Sequence, residues 1–233
     1  GSAFAQAPVI RTQDQFGNNS VNSLPSTLSV TLSLTTGTGA LTGTVSANIG
    51  TSGGNGVLTF TGVGVNDIGN GKQITATGAP LTSAVSSLFD IQPKPITATV
   101  VTDNKVYARN TTATFSSASV ASLMVLGDPV TVSSSSSVAS FATSTAGNGI
   151  NVNVTGLSLA GSEASKYNLA ATSTGSANIT RATVNVTAST TLSKVYGDTD
   201  PSLTYSDSGL LPGNSFTGSL TRATGENVGT RAI

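Results

Sequence analysis

Leu28, Val30, Leu32 and Leu34 alternate with Ser29, Thr31 and Ser33, so an extended segment carries four aliphatic side chains on one face and three hydroxyls on the other. This period predicts a half-buried antiparallel strand. The same pattern predicts strands at Val57 to Phe60, Ile96 to Val100, Val130 to Val132, Ile150 to Val154 and Val184 to Thr187, each bounded by Gly, Asn, Asp, Pro or Ser clusters. No segment has a comparable helical period, and the best helix candidate, Ser162 to Tyr167, is one turn at most. Short strands with turn signals about every ten residues, and no ladder of roughly 20–25 residues, favour β-sandwiches in series over a single β-helix. The run Ser133 to Ser137 reads as a solvent-facing loop or strand end.

Lys105-Val106-Tyr107 returns as Lys194-Val195-Tyr196, a spacing of about 90 residues, the length of one immunoglobulin-sized sandwich. Each copy follows an alternating strand (Ile96 to Thr102; Val184 to Thr190) and precedes a polar turn. Upstream, Ile91-Gln92-Pro93-Lys94-Pro95 and Ile179-Thr180-Arg181-Ala182 read as domain joints, the first stiffened by two prolines.

The chain has 233 residues, which at roughly 100 residues per small all-β domain predicts two or three domains. Hydrophobic residues make up 37%, enough in ordered alternation to bury a core. There is no Cys, His or Trp, only 9% of residues are charged, and the net charge is zero. Without His or Cys there is no Ser-His-Asp or Cys-His pair and no ordinary zinc, haem or iron–sulfur ligand set. The expectation is therefore a protein that is not an enzyme and uses no cofactor. Charges spread singly give no stripe for phosphates, so no nucleic-acid partner is expected. No apolar run approaches about 18 residues, so no membrane insertion is expected. Solubility rests on hydroxyls, since roughly three residues in ten are Ser or Thr. Residues 1–7 read as a cloning scar or signal remnant and are set apart from the fold.

Lys194-Val195-Tyr196-Gly197-Asp198, Pro201-Ser202-Leu203-Thr204-Tyr205, Gly209-Leu210-Leu211-Pro212-Gly213, Phe216 to Arg222 and Glu226 to Thr230 together closely resemble the MBG repeat of large bacterial surface proteins. The middle segment, with Lys105-Val106-Tyr107, Gly156 to Gly161 and Tyr167-Asn168-Leu169, resembles the YDG repeat of haemagglutinin-type adhesins. It departs at Ala108-Arg109, where that family usually has Asp-Gly. The first segment, with Gln13 to Asn18 and Gly53-Gly54-Asn55-Gly56, is similar to the bacterial Ig-like modules of invasin-type proteins.

These resemblances imply an all-β chain of tandem immunoglobulin-like β-sandwich modules arranged as an elongated rod: 8–92 a bacterial Ig-like module, 93–181 a YDG-type module and 182–233 an MBG-type module. An MBG repeat would normally continue past Ile233, so the third module is expected to lack its final strands and to be frayed, edge-paired to a neighbour or rearranged. The implied location is extracellular, on a bacterial cell surface or secreted. The implied role is a structural spacer, or stalk, of an adhesin that projects a functional tip. The alternative is a module that itself binds a host glycan or matrix protein. Expected partners are neighbouring modules of the same long protein, a host glycan or matrix protein under the alternative, and a second copy through an open edge of the third module.

Asp198 and Asp200, with Asp207 downstream, are the candidate calcium ligands. Calcium needs six to eight oxygens and no EF-hand spacing is present, so the competing reading is a turn built from Gly-Asp and Asp-Pro. Glu163 and Glu226, the only glutamates, fall in different modules, which argues against a paired-carboxylate glycosidase. Lys105 and Lys166 are the candidates for a covalent Lys–Asn or Lys–Asp cross-link, which requires a buried, uncharged lysine. Tyr107, Tyr167, Tyr196 and Tyr205 lie inside repeat motifs and are expected to pack or to tie their hydroxyls to backbone, leaving no aromatic platform for sugars. Asn18, Asn110, Asn153, Asn178 and Asn185 open Asn-x-Ser/Thr sequons.

Overall fold

The computed structural model describes residues 2–125 and 127–231, so Gly1 and Ile233 lie outside the described residues. The chain is all-β, and among the described residues the helical elements are two single turns of 3-10 helix, Ala121–Leu123 and Ala164–Lys166, the second inside the segment read as one turn at most. It forms two compact units. The first comprises Gly1–Ala98, Ser119–Ser135 and Leu157–Ala171, and the second Thr99–Ala118, Ser136–Gly156 and Thr172–Ile233. The middle segment thus contributes strands to both.

The first unit opens with β1 (Val9–Arg11), β2 (Ser29–Thr36), β3 (Leu41–Thr42), β4 (Ser46–Asn48), β5 (Val57–Thr59), β6 (Gly64–Val65), β7 (Gly69–Gly78), β8 (Leu81–Val85) and β9 (Phe89–Ile91). Their main sheet runs β4-β2-β7-β8, with β9 also on β7. The alternation of β2 holds as expected: Val30 and Leu32 are buried, while Ser29, Thr31 and Ser33 face solvent. The buried face packs with Ile10 of β1, Leu58 of β5 and Leu41 of β3, around Leu28, Ile49, Phe60, Val63 and Ile74. The antiparallel ribbons β1–β5 and β3–β6 thereby cover the sheet as a sandwich's second layer. Residues 1–7, set apart from the fold on sequence, are not wholly outside it. The Phe4 amide donates to the Val63 carbonyl at 2.8 Å, and its ring meets Phe89 edge-on at 5.3 Å, because an aromatic beside an uncovered core gains by burial.

The remaining strands are β10 (Lys94–Ile96), β11 (Thr99–Thr102), β12 (Lys105–Val106), β13 (Thr112–Ala113), β14 (Phe115–Ser119), β15 (Thr131–Ser133), β16 (Val138–Phe141), β17 (Gly147–Thr155), β18 (Ser158–Ala160), β19 (Tyr167–Leu169), β20 (Thr172–Thr180), β21 (Asn185–Ala188) and β22 (Tyr205–Ser208). In the first unit β10 pairs in parallel with β19, and β15 antiparallel with β18, around a second core of Ile96, Ala98, Val120 and Tyr167. In the second unit a sheet of order β12-β20-β17-β16-β13 buries Ala139, Phe141, Val152, Val154, Ala177 and Ile179. The single strand expected from Ile96 to Thr102 is divided: the chain leaves one sheet after Ile96 and pairs with β14 from Thr99. Ile96, Ala98 and Val100 are all buried, since the side-chain period survives when hydrogen-bond partners change. The strand expected from Val184 pairs with β22, yet Val186 is 47% exposed, so its apolar face is not covered as the alternation implied. This ribbon is the only sheet after Arg181 among the described residues.

Candidate functional site

Four charged side chains converge in the segment after Val184. Lys194 Nζ lies 2.8 Å from Asp200 Oδ1 and 3.1 Å from Glu226 Oε2, and donates to the Asp198 carbonyl at 3.0 Å. Arg222 grips Asp200 side-on, with Nε donating to Oδ2 at 2.8 Å and Nη2 to Oδ1 at 2.9 Å, and Nη2 also reaches Glu226 Oε1 at 2.7 Å. Its Nη1 holds the carbonyls of Ala223 and Gly225. Arg222, and then Lys194, pull the Asp200 carboxyl down to about 2 and lower that of Glu226. The same contacts raise Lys194 and Arg222, Asp200 contributing most to each. Two cations and two anions neutralise one another, so the network fastens the stretch from Lys194 to Asp200 to that from Arg222 to Glu226.

This arrangement decides the placement of the candidate calcium ligands. Both Asp200 oxygens are held by Lys194 and Arg222, Asp198 offers its backbone carbonyl to Lys194, and Asp207 sits in β22 opposite Val186. The structure does not bring the three together, and among the described residues no group of three or more acidic side chains is placed to hold an ion.

The first member of the lysine repeat does parallel work without acids. Lys105 Nζ donates to the Asn110 carbonyl at 2.8 Å, Asn110 Oδ1 at 2.7 Å and the Thr112 carbonyl at 2.8 Å, and stands 5.4 Å over the Phe141 ring. Both repeat lysines thus reach forward to close the turn that follows them. In the earlier turn Arg109 has φ +59°, the left-handed backbone that favours glycine. The departure from the family's Asp-Gly therefore changes the residue and keeps a glycine-like backbone. Its guanidinium reaches the Pro212 carbonyl. Lys166 pairs with Glu163, which raises its pKa, and donates to the Asn66 carbonyl at 2.9 Å.

Asp14 organises a turn in the first segment: its Oδ1 accepts from the amides of Phe16 at 2.9 Å and Asn18 at 3.0 Å, and its Oδ2 from Asn18 Nδ2 at 3.2 Å. These bonds, that of the Asn18 backbone foremost, lower its pKa. In the other motif of that segment Asn55 and Gly56 have φ +46° and +84°, the paired left-handed conformations of a type I′ turn.

The sequence reading missed Lys72, a fully buried lysine whose Nζ donates to the Thr38 carbonyl at 2.6 Å. The signal was present, because Lys72 is in phase with Ile74 and Ala76 on the buried face of β7. The tyrosines divide. Tyr167 is buried, donating to Asp128 Oδ2 at 2.6 Å and accepting from the Val125 amide at 2.8 Å, as expected of a tied hydroxyl. Tyr196 is instead 73% exposed, which corrects for that residue the expectation that each motif tyrosine packs or ties its hydroxyl to backbone, while Tyr205 is 46% exposed. The Tyr205 ring meets that of Phe216 edge-on at 5.5 Å, a contact that leaves its other face to solvent. Tyr196, Leu203 and the charge network line a cleft of about 660 Å³. Of the sequon asparagines, Asn18 and Asn110 are engaged in turns, Asn178 Oδ1 accepts from the Gly149 amide, and Asn153 and Asn185 are exposed on strands.

Comparison with protein families matches residues 92–175 to the family described as YDG domain and residues 184–233 to that described as MBG domain (YGX type). Comparisons with curated proteins and with solved structures find no match.

Proposed function

We propose that this chain, with a YDG domain followed by an MBG domain of the YGX type, is a structural spacer in a bacterial cell-surface or secreted adhesin. The two domains fit an adhesin-like or repeat-containing surface protein. One observation favours the spacer role over a binding role. The motif residues Asp14, Lys105, Tyr167, Lys194, Arg222 and Glu226, and Asp200 between two motifs, direct their polar atoms at the protein's own turns or at each other. The exposed face of the β4-β2-β7 sheet is a neutral hydroxyl ladder, with Ser46 Oγ 2.9 Å from Ser29 Oγ and 3.0 Å from Thr31 Oγ1, and Thr35 Oγ1 2.9 Å from Thr75 Oγ1. Such a surface stays hydrated without attracting counter-charged partners. The first segment, with its Asp14 turn, extends the series as a third Ig-like module.

The second reading, a module that binds a host glycan or matrix protein, draws on exposed Tyr196 beside the cleft, since ring faces stack on sugars. A replacement experiment separates the two. The chain is displayed between a membrane anchor and a tip domain of known ligand, then exchanged for an unrelated array of β-modules of equal length. Unchanged adhesion through the tip, and no adhesion lost to cells or matrix, supports the spacer. Loss of adhesion that the tip does not account for supports the binding module.

A further inference from the structure

The sequence contains three Asn-Gly pairs, Asn55-Gly56, Asn70-Gly71 and Asn148-Gly149, the dipeptide in which a neighbouring backbone amide most readily attacks an asparagine side chain because glycine offers no steric shield. All three asparagines are exposed to water. Each glycine has left-handed φ, +84°, +63° and +61° in order, so each pair is where the backbone needs that conformation. The last two pairs sit at register shifts, in β7 beside β9 and in β17 beside β20. Their glycine amides donate to side chains on those adjacent strands: Gly71 to Asp90 Oδ1 at 2.8 Å, and Gly149 to Asn178 Oδ1 at 2.8 Å. The Gly56 amide donates to the Ile49 carbonyl at 2.8 Å. Asn70 is held a second time, its Oδ1 accepting from Gln92 Nε2 at 3.3 Å.

We propose that these pairs are latent deamidation sites, silenced in the folded chain because the attacking glycine amide is hydrogen-bonded, with Asp90 guarding Asn70 and Asn178 guarding Asn148. In the reaction the Gly71 nitrogen gives its proton to solvent base and bonds to Asn70 Cγ. The Cγ–Nδ2 bond breaks, Nδ2 takes up a proton and leaves as ammonia, and a succinimide ring remains. Water then opens the ring to aspartate or isoaspartate, with no change of oxidation state. An amide proton held by an acceptor is harder to remove, and its nitrogen is fixed facing the neighbouring strand instead of Cγ. Two guards of the same design, an oxygen-bearing side chain beside a bulge, occur in two different units.

The test incubates the chain at pH 8 and 37 °C, native and in urea, and follows isoaspartate at each site by peptide mapping. Native Asn70 and Asn148 are expected to deamidate at least about tenfold more slowly than in urea, the factor that loss of one charge-assisted or strand-anchoring hydrogen bond implies. Asp90→Ala is expected to accelerate Asn70 alone and Asn178→Ala to accelerate Asn148 alone, while Asp90→Asn, which keeps an oxygen acceptor, restores slow deamidation of Asn70. Equal native and urea rates would overturn the proposal, as would folded Asp90→Ala and Asn178→Ala variants with unchanged rates. Should a variant unfold, every site in its unit accelerates together, and the native-against-urea comparison decides without it.

Discussion

Arg109 holds a left-handed backbone, φ +59°, in a turn where glycine would sit without strain. Both Arg109→Gly and Arg109→Ala lose the contact to Pro212, and only the glycine relieves the left-handed strain, so Arg109→Gly is expected to be more stable than Arg109→Ala by about 1–2 kcal/mol. Chemical denaturation of the two variants checks the sign. Lys72 gives a second prediction. Lys72→Met keeps the apolar stem in the buried site but removes the hydrogen bond to the carbonyl of exposed Thr38, which water can replace, and is expected to cost no more than about 0.5–1.5 kcal/mol in the same assay. Arg109 could be flagged from sequence as a departure from Asp-Gly, but its φ could not, because backbone conformation there is imposed by the surrounding turn. Lys72 was legible only by setting residue type aside and counting phase along Ile74 and Ala76, since a lysine in a strand is ordinarily read as solvent-facing. Exposure of Tyr196 was not legible at all. Whether a motif tyrosine packs depends on which elements cover it, a non-local fact.

Among elements, the crossing of β11 over β20 depends on Gly175. A Cβ there would come within 2.6 Å of Thr102 Cγ2 and 2.9 Å of Thr102 Oγ1, and Thr102 is also tied to the Ser176 carbonyl at 2.8 Å. Gly175→Ala is expected to destabilise the second unit by about 1–3 kcal/mol, read from its thermal or urea transition. The charge network in the segment after Val184 responds to pH with a defined sign. Asp200 ionises at about 2 in the folded chain, below the ordinary carboxylate value of about 3.9. Its contribution to stability is present above that ordinary value and is lost as pH falls through about 2. Carboxyl carbon titration by NMR should show the low midpoint, and Asp200→Asn should remove the stability loss assigned to this group. The network is exposed, so added salt should weaken it. Strands such as β2 and β17 were legible because a two-residue period survives without knowledge of partners. The division of the Ile96 to Thr102 segment between β10 and β11 was not, because alternation records which side chains are buried and is silent on where the hydrogen bonds go.

For the molecule as a whole, family membership of the middle and last segments was legible from short spaced motifs, and the structure supplies their physical reason. Lys194, Arg222 and Glu226 come from three separated motifs and meet at Asp200, between the first two motifs, in one ion network, while Lys105 closes a turn alone. Those motifs describe how a module is fastened, which is why they point to a kind of protein and not to a ligand. Under the proposed spacer role the chain connects and does not recognise. That role is tested most directly by screening the labelled chain against an array of glycans and extracellular-matrix proteins, with and without calcium, beside a known tip-type adhesin domain as positive control. The control is expected to bind and this chain to give no reproducible signal in either condition. A reproducible hit that is lost on Tyr196→Ala would contradict that role and make the cleft beside the charge network a recognition site.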